Sequence, residues 1–74
     1  MQEYFKQIEE ELSGALTQHG DFKSLHEAYG VLLEELDEIW DEIKMKKPDK
    51  NRIYIESKQL AAMALKLMMF VEKK

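Results

Sequence analysis

Apolar residues recur at alternating four- and three-residue steps through the middle of this chain. The stripe consists of Leu25, Tyr29, Leu32, Leu36, Ile39 and Ile43. These steps keep the side chains on one side of an α-helix, whereas the side chains of a β-strand alternate with a period of two. Because an amphipathic helix must bury its apolar side against a neighbour, the stripe predicts an all-α fold.

Local signals set the bounds of the first two helices. The first is predicted over about residues 2–19, with Gly20 placed to end it in a left-handed backbone conformation. The second is predicted over about residues 24–46. Its start has the capping-box spacing of Ser24 and Glu27, in which the serine oxygen and the glutamate each satisfy a free backbone amide.

A short connection leads to a third helix. Pro48 prevents the second helix from continuing, because the residue before a proline disfavours helical backbone angles. The third helix is predicted over about residues 50–72, with Asp49 or Asn51 as its N-terminal cap. We therefore interpret residues 1–74 as a single helical domain of three antiparallel helices.

The chain is short for a domain that folds alone. A chain of 74 residues buries roughly 63% of its unfolded surface, which leaves a small margin of stability. No disulfide adds to this margin, because the sequence contains no cysteine. The third helix is apolar around most of its circumference and needs neighbours on several sides. We expect homo-oligomerisation to complete a helical bundle.

Composition excludes several classes of protein. The lack of cysteine excludes thiol catalysis and zinc ribbons and is compatible with a reducing compartment, so we expect a cytoplasmic protein. The most apolar stretch, residues 60–71, is interrupted by Lys66 and is too short to span a bilayer. We expect no membrane association. A net charge of −4 makes nucleic acid an unlikely partner.

Acidic residues are concentrated on the second helix. Six of the nine residues 34–42 are Asp or Glu, and such a stripe is most often a solvated face. On the third helix, Glu56 shares a face with the apolar Met63 and Phe70. An unpaired carboxylate there must reach solvent, become protonated, meet a base or bind a metal ion.

Two pairs of oxygen-bearing side chains are each spaced by one helical turn. They are Glu35 with Glu38 and Glu56 with Gln59. Antiparallel packing of the two helices could bring three carboxylates and one amide together. Oxygen ligands of this kind suit Mg²⁺, which accepts few protein ligands and keeps waters for bound phosphates.

The spacing of these pairs resembles that of a known family. Residues 34–38, Glu-Glu-Leu-Asp-Glu, are followed after seventeen residues by 56–59, Glu-Ser-Lys-Gln. This arrangement is similar to the E-x-x-E…E-x-x-D signature of MazG-like, all-α nucleoside triphosphate pyrophosphohydrolases. The flanking residues 24–30 and 59–64 resemble those of short MazG-like proteins common in phages and prophages.

The resemblance implies a function and a set of metal ligands. Glu35, Glu38 and Glu56 would bind Mg²⁺, and the enzyme would convert a nucleoside triphosphate to a monophosphate and pyrophosphate. Family members assemble as dimers or dimers of dimers. Gln59 stands where the family pattern has Asp, and its neutral amide is a weaker ligand. Weakened or lost activity is the expected consequence.

Three acidic or basic side chains have expected roles in the hydrolysis itself, and two aromatic side chains have expected roles in packing. Glu38 or Glu42 would orient the attacking water, and Lys66 would contact a phosphate. Tyr29 and Trp40, on the side of the second helix opposite Glu35, are expected to be packing anchors.

Two alternative functions remain open. The chain could be a non-catalytic helical oligomerisation or interaction module. A nucleic-acid-binding module that uses the basic residues 44–52 is the least favoured, because the rest of the chain is acidic.

Overall fold

A computed structural model describes residues 1–73 and contains three α-helices. Helix α1 spans Gln2–His19, α2 spans Leu25–Ile43 and α3 spans Lys50–Glu72, with no strand among the described residues. The predicted all-α class and helix order are confirmed. Helix α2 ends three residues before the predicted position, and residues 44–49 form the turn to α3.

The helix ends follow the local chemistry of the sequence. Ser24 Oγ accepts a hydrogen bond from the Glu27 amide at 3.0 Å, as the capping-box spacing predicts. The Glu27 carboxylate accepts from the Lys23 amide, at 2.7 Å, instead of from that of Ser24. At the start of α3 the cap is Asp49, whose side chain accepts from the amides of Asn51 and Arg52.

Gly20 ends α1 with a backbone that few other residues adopt. Its φ of 72° is positive, as predicted, but its ψ of −165° lies outside the left-handed helical region. This combination is essentially restricted to glycine. The amide of Gly20 still closes the helix by donating to the Leu16 carbonyl at 2.9 Å.

Helix α3 lies between the other two. Tyr54 near its start donates a hydrogen bond to Gln7, and Lys58 one turn later lies 3.9 Å from Glu11. Because these contacts advance along both helices together, α1 runs parallel to α3. Helix α2 returns from a six-residue turn and packs antiparallel on another side of α3. Among the described residues, α1 and α2 have no Cα atoms within 8 Å of each other.

The core is small and is centred on α3. Phe22, in the loop between α1 and α2, meets Phe70 edge-to-face with ring centroids 6.1 Å apart. The buried apolar residues are Leu12, Phe22, Ala28, Ala62, Met63 and Phe70. Partly buried apolar residues, such as Ile8, Leu32 and Leu67, surround this cluster.

Helix α2 presents a different face to α3 than its apolar stripe predicts. The side chains that are buried or partly buried on this side are Ala28, Val31, Leu32, Glu35, Ile39 and Glu42. Four members of the predicted stripe are instead exposed by 46–67%, namely Leu25, Tyr29, Leu36 and Ile43. Small residues lie on the buried side instead, and the fully buried Ala28 and Ala62 allow helices to approach closely.

The two aromatic residues expected as packing anchors do not pack inside the chain. Tyr29 is 67% exposed and Trp40 is 56% exposed. Each would need a partner outside this chain to be buried. None of the three helices in residues 1–73 has an apolar stretch long enough to cross a membrane.

Candidate functional site

A cleft of about 750 Å³ separates α1 from α2. It forms because both helices pack on α3 without approaching each other. Gln59, Met63 and Lys66 of α3 line its floor. Its walls are acidic, with carboxylates from both outer helices: Glu10, Glu11, Glu27, Glu34 and Glu35.

Glu56 is a buried carboxylate of α3. It is 9% exposed, which confirms the burial expected from its position on one face with Met63 and Phe70. Its Oε1 atom is shielded from solvent and has no hydrogen-bond partner among the described residues. Its Oε2 atom lies 4.0 Å from Nη2 of Arg52, which is itself largely exposed. Glu56 is therefore only weakly compensated by the protein.

Glu35 on α2 is in a similar position. It is turned toward α3, and its Oε2 atom is also shielded and without a hydrogen-bond partner in residues 1–73. Burial raises the pKa of Glu35 above its ordinary value of 4.5, and the negative charges of Glu38, Glu11, Glu34 and Glu56 raise this pKa further. Glu35 and Glu56 thus interact electrostatically across two facing helices, but Glu35 lines the cleft and Glu56 does not, and Glu56 has the Arg52 guanidinium 4.0 Å away.

The other two expected metal ligands are less enclosed. Glu38, one turn after Glu35, is exposed but close enough to affect the pKa of Glu35. Gln59 is half-buried and lines the cleft one turn after Glu56. Within residues 1–73 no three acidic or histidine side chains are arranged as a ready metal site.

Glu42 is engaged in holding the turn between α2 and α3. Its Oε1 atom accepts a hydrogen bond from the Asp49 amide at 2.9 Å. Its Oε2 atom lies 3.6 Å from Nε of Arg52. These contacts give Glu42 a structural role and leave Glu38 as the more accessible of the two acids expected to orient water.

Lys66 is a buried cation on the floor of the cleft. The residue is 5% exposed, and its Nζ atom lies 4.2 Å from the centre of the Phe22 ring. This is a cation–π contact, which compensates part of the cost of burying an ammonium group. Among the described residues Lys66 has no carboxylate within 4.0 Å, although its charge helps to lower the pKa of Asp21, which lines the same cleft.

The sequence did not predict the contacts that three residues make around the site. Glu11 reaches it from α1, and Phe22 packs under Lys66 from the loop. Arg52 links Glu42 to Glu56. Only Arg52 had a local signal, because it lies four residues before Glu56 on the same helix. The positions of Glu11 and Phe22 depend on how α1 packs.

The donor set is compatible with a hard cation. Two partnerless carboxylate oxygens in a shielded position are costly, and a cation between them would offset both the desolvation and the mutual repulsion. Mg²⁺ commonly uses one or two protein carboxylates and completes its shell with water and substrate phosphates. Glu35 and Glu56 are the two shielded carboxylates, and Glu38 and Gln59 each lie one turn further along the same helices.

Comparison with known proteins adds no further guide to the site. The chain matches no protein-family model, no curated protein and no solved structure. The chemistry of the cleft must therefore be inferred from the side chains that line it.

Proposed function

We propose that this chain is a MazG-like, Mg²⁺-dependent nucleotide pyrophosphohydrolase. The observation that carries the proposal is the pair of shielded, partnerless oxygens, Glu35 Oε2 and Glu56 Oε1, on facing helices. Neither oxygen has a hydrogen-bond partner among the described residues, and a cation bound by both carboxylates would offset their burial and their repulsion. The spacing of the two acidic pairs in the sequence, similar to the MazG-like signature, supports the same metal site.

The cleft has the size for a nucleotide and a buried cation on its floor. Its volume of about 750 Å³ lies within the usual range for small-molecule sites. Lys66 on its floor would contact a phosphate, while its Phe22 partner holds the ammonium group in place. The acidic walls would repel a free triphosphate, so binding requires a divalent cation to accompany it.

In the proposed reaction, water adds across the α–β phosphoanhydride bond and gives a nucleoside monophosphate and pyrophosphate. Glu35 and Glu56 would hold Mg²⁺, with Gln59 as a weak additional ligand. When bound, the metal ion stabilises the negative charge that develops on the phosphate oxygens. Glu38, exposed beside Glu35, would orient the water and accept its proton.

Gln59 is expected to reduce the rate. An amide oxygen neutralises less of the charge on the metal ion than the carboxylate of the family signature and cannot accept a proton at neutral pH. The substitution also lowers the negative charge of a site that already contains several acids. Slow turnover with retained metal binding is the proposed outcome.

Release of pyrophosphate from a panel of nucleoside triphosphates with Mg²⁺ tests this activity. We expect release by the native chain and a loss of at least about 100-fold in Glu56→Gln. Asp37→Asn is the matched control, because it removes one acid from the exposed face of α2 and should retain the activity. Equal activity in Glu56→Gln and the native chain would contradict the mechanism.

A second candidate is a non-catalytic helical interaction module. It is favoured by the absence of a third acid arranged with Glu35 and Glu56 in residues 1–73 and by the structural use of Glu42. This candidate predicts no release of pyrophosphate from any nucleotide. It also predicts that Glu56→Met stabilises the fold without affecting the interaction.

A further inference from the structure

One side of α2 carries a continuous apolar surface that the rest of residues 1–73 leaves largely exposed. We call it the α2 ridge. Its six side chains are each exposed by 41–67% and recur at three- and four-residue steps. They are Leu25, Tyr29, Leu33, Leu36, Trp40 and Ile43. Isolated exposed leucines are common, but a contiguous ridge with two aromatic rings indicates a docking surface.

The exposed area of the chain agrees with a missing partner. The accessible surface is 5872 Å², whereas a compact monomer of this mass exposes roughly 4,800 Å². From the exposed fractions, the ridge contributes on the order of 600 Å² per copy. Two copies joined through it would bury about 1,200 Å², which reaches the lower end of stable specific interfaces.

We propose that a second copy of this chain docks on the α2 ridge, with the two α2 helices antiparallel about a two-fold axis between Leu33 and Leu36. The ridge is self-complementary in this register, because aliphatic residues meet aliphatic residues and the two kinds of aromatic ring meet each other. The pairs across the axis are Leu33 with Leu36 and Tyr29 with Trp40, and Leu25 lies within one residue of the position opposite Ile43.

The charge distribution favours the antiparallel orientation over the parallel one. The acids of residues 34–42 occupy the second half of α2, whereas the first half contains Glu27 as its single acid. A parallel pair would place each acidic half beside its own copy. In the antiparallel pair the acidic half lies beside the less charged half, and the helix dipoles oppose each other favourably.

The proposed interface is separate from the cleft. Glu35 lies roughly a third of the helix circumference away from the ridge, on the side that faces α3 and the cleft. Docking through the ridge would therefore leave the cleft open to a nucleotide. The assembly does not depend on the proposed hydrolase activity, and either proposal can fail without the other.

Sedimentation velocity at micromolar concentration tests the association. We expect a dimer for the native chain and a monomer for Trp40→Glu and for Leu36→Glu, since each places a charge in the centre of the ridge. Both positions are exposed in the chain, so the variants should keep the native circular dichroism spectrum. Asp41→Ala, at an exposed position outside the ridge, should remain dimeric. A monomeric native chain, or dimeric ridge variants, would overturn the proposal.

Cysteine cross-linking tests the orientation. The native chain has no cysteine, so single introduced cysteines report one contact each. A mixture of Tyr29→Cys and Trp40→Cys chains should form disulfides between the two variants in preference to disulfides within each. Asp41→Cys should not cross-link efficiently with either. Preferential pairing of each variant with itself would indicate parallel helices and contradict the proposed two-fold axis.

Discussion

At the scale of residues, Glu35 and Glu56 are poorly matched to their surroundings. Both have an oxygen that is shielded from solvent without a hydrogen-bond partner in the described part of the chain. Most proteins avoid such groups, because each costs free energy that the fold does not recover. Conflicts of this kind between local chemistry and stability are typical of functional sites. The two carboxylates are therefore the basis of the proposed cation site.

The raised pKa of Glu35 makes a prediction about stability and pH. A pKa above 4.5 in the folded state means that folding favours the protonated form. With chelator present, the free energy of unfolding should contain a contribution from Glu35 that increases as the pH falls from neutral toward 4.5. Urea unfolding at several pH values should show this increase in the native chain and a smaller one in Glu35→Gln.

A control variant and the low pKa of Asp21 make this measurement specific to Glu35. Asp37→Asn removes an exposed acid of the same helix and should keep the full increase. Asp21 does not interfere, because Lys73 lowers the pKa of Asp21 below its ordinary value of 3.8. Its stabilising contribution is complete above that pH and is lost only in stronger acid. An identical pH dependence in Glu35→Gln and the native chain would contradict the burial of this charge.

At the scale of helices, capping side chains and one glycine define where each element begins and ends. Ser24 and Asp49 satisfy amides that would otherwise lack partners at the starts of α2 and α3. Gly20 allows the chain to leave α1 at a positive φ. These features act within a few residues, so they can be recognised in the sequence.

The cap of α2 gives a quantitative prediction. Ser24→Ala removes the acceptor for the Glu27 amide and should destabilise the chain by about 1 kcal/mol, which lowers Tm by roughly 4–8 °C in a domain of this size. Ser13→Ala is the matched control, because Ser13 lies exposed inside α1, where alanine favours the helix. Thermal melts should show a decrease for the first variant and no decrease for the second.

The sequence predicted the helices better than it predicted how they pack. Periodicity identifies an apolar stripe on α2 but does not say whether α3 or another molecule covers it. The burial of Glu56 could be predicted because its heptad neighbours Met63 and Phe70 belong to the core. The approach of Glu11 to Glu35 could not, because it depends on α1 running parallel to α3.

At the scale of the whole molecule, α3 lies between two helices that do not meet. This arrangement leaves a cleft on one side and an exposed face of α2 on another. The chain is elongated, with extents of 43 × 29 × 20 Å. One side contains the acidic cleft with Lys66 at its floor, and the α2 ridge lies on another. A single copy thus separates a candidate ligand site from a candidate assembly surface.

Melting the protein with and without millimolar Mg²⁺ tests most directly whether Glu35 and Glu56 form a cation site. At about ten times its Kd, a ligand that binds only the folded state stabilises it by roughly 1.4 kcal/mol. We predict an upward shift of several degrees in the native chain and in Asp37→Asn, and no shift in Glu56→Gln. An equal shift in Glu56→Gln, or no shift in the native chain, would contradict the proposed site.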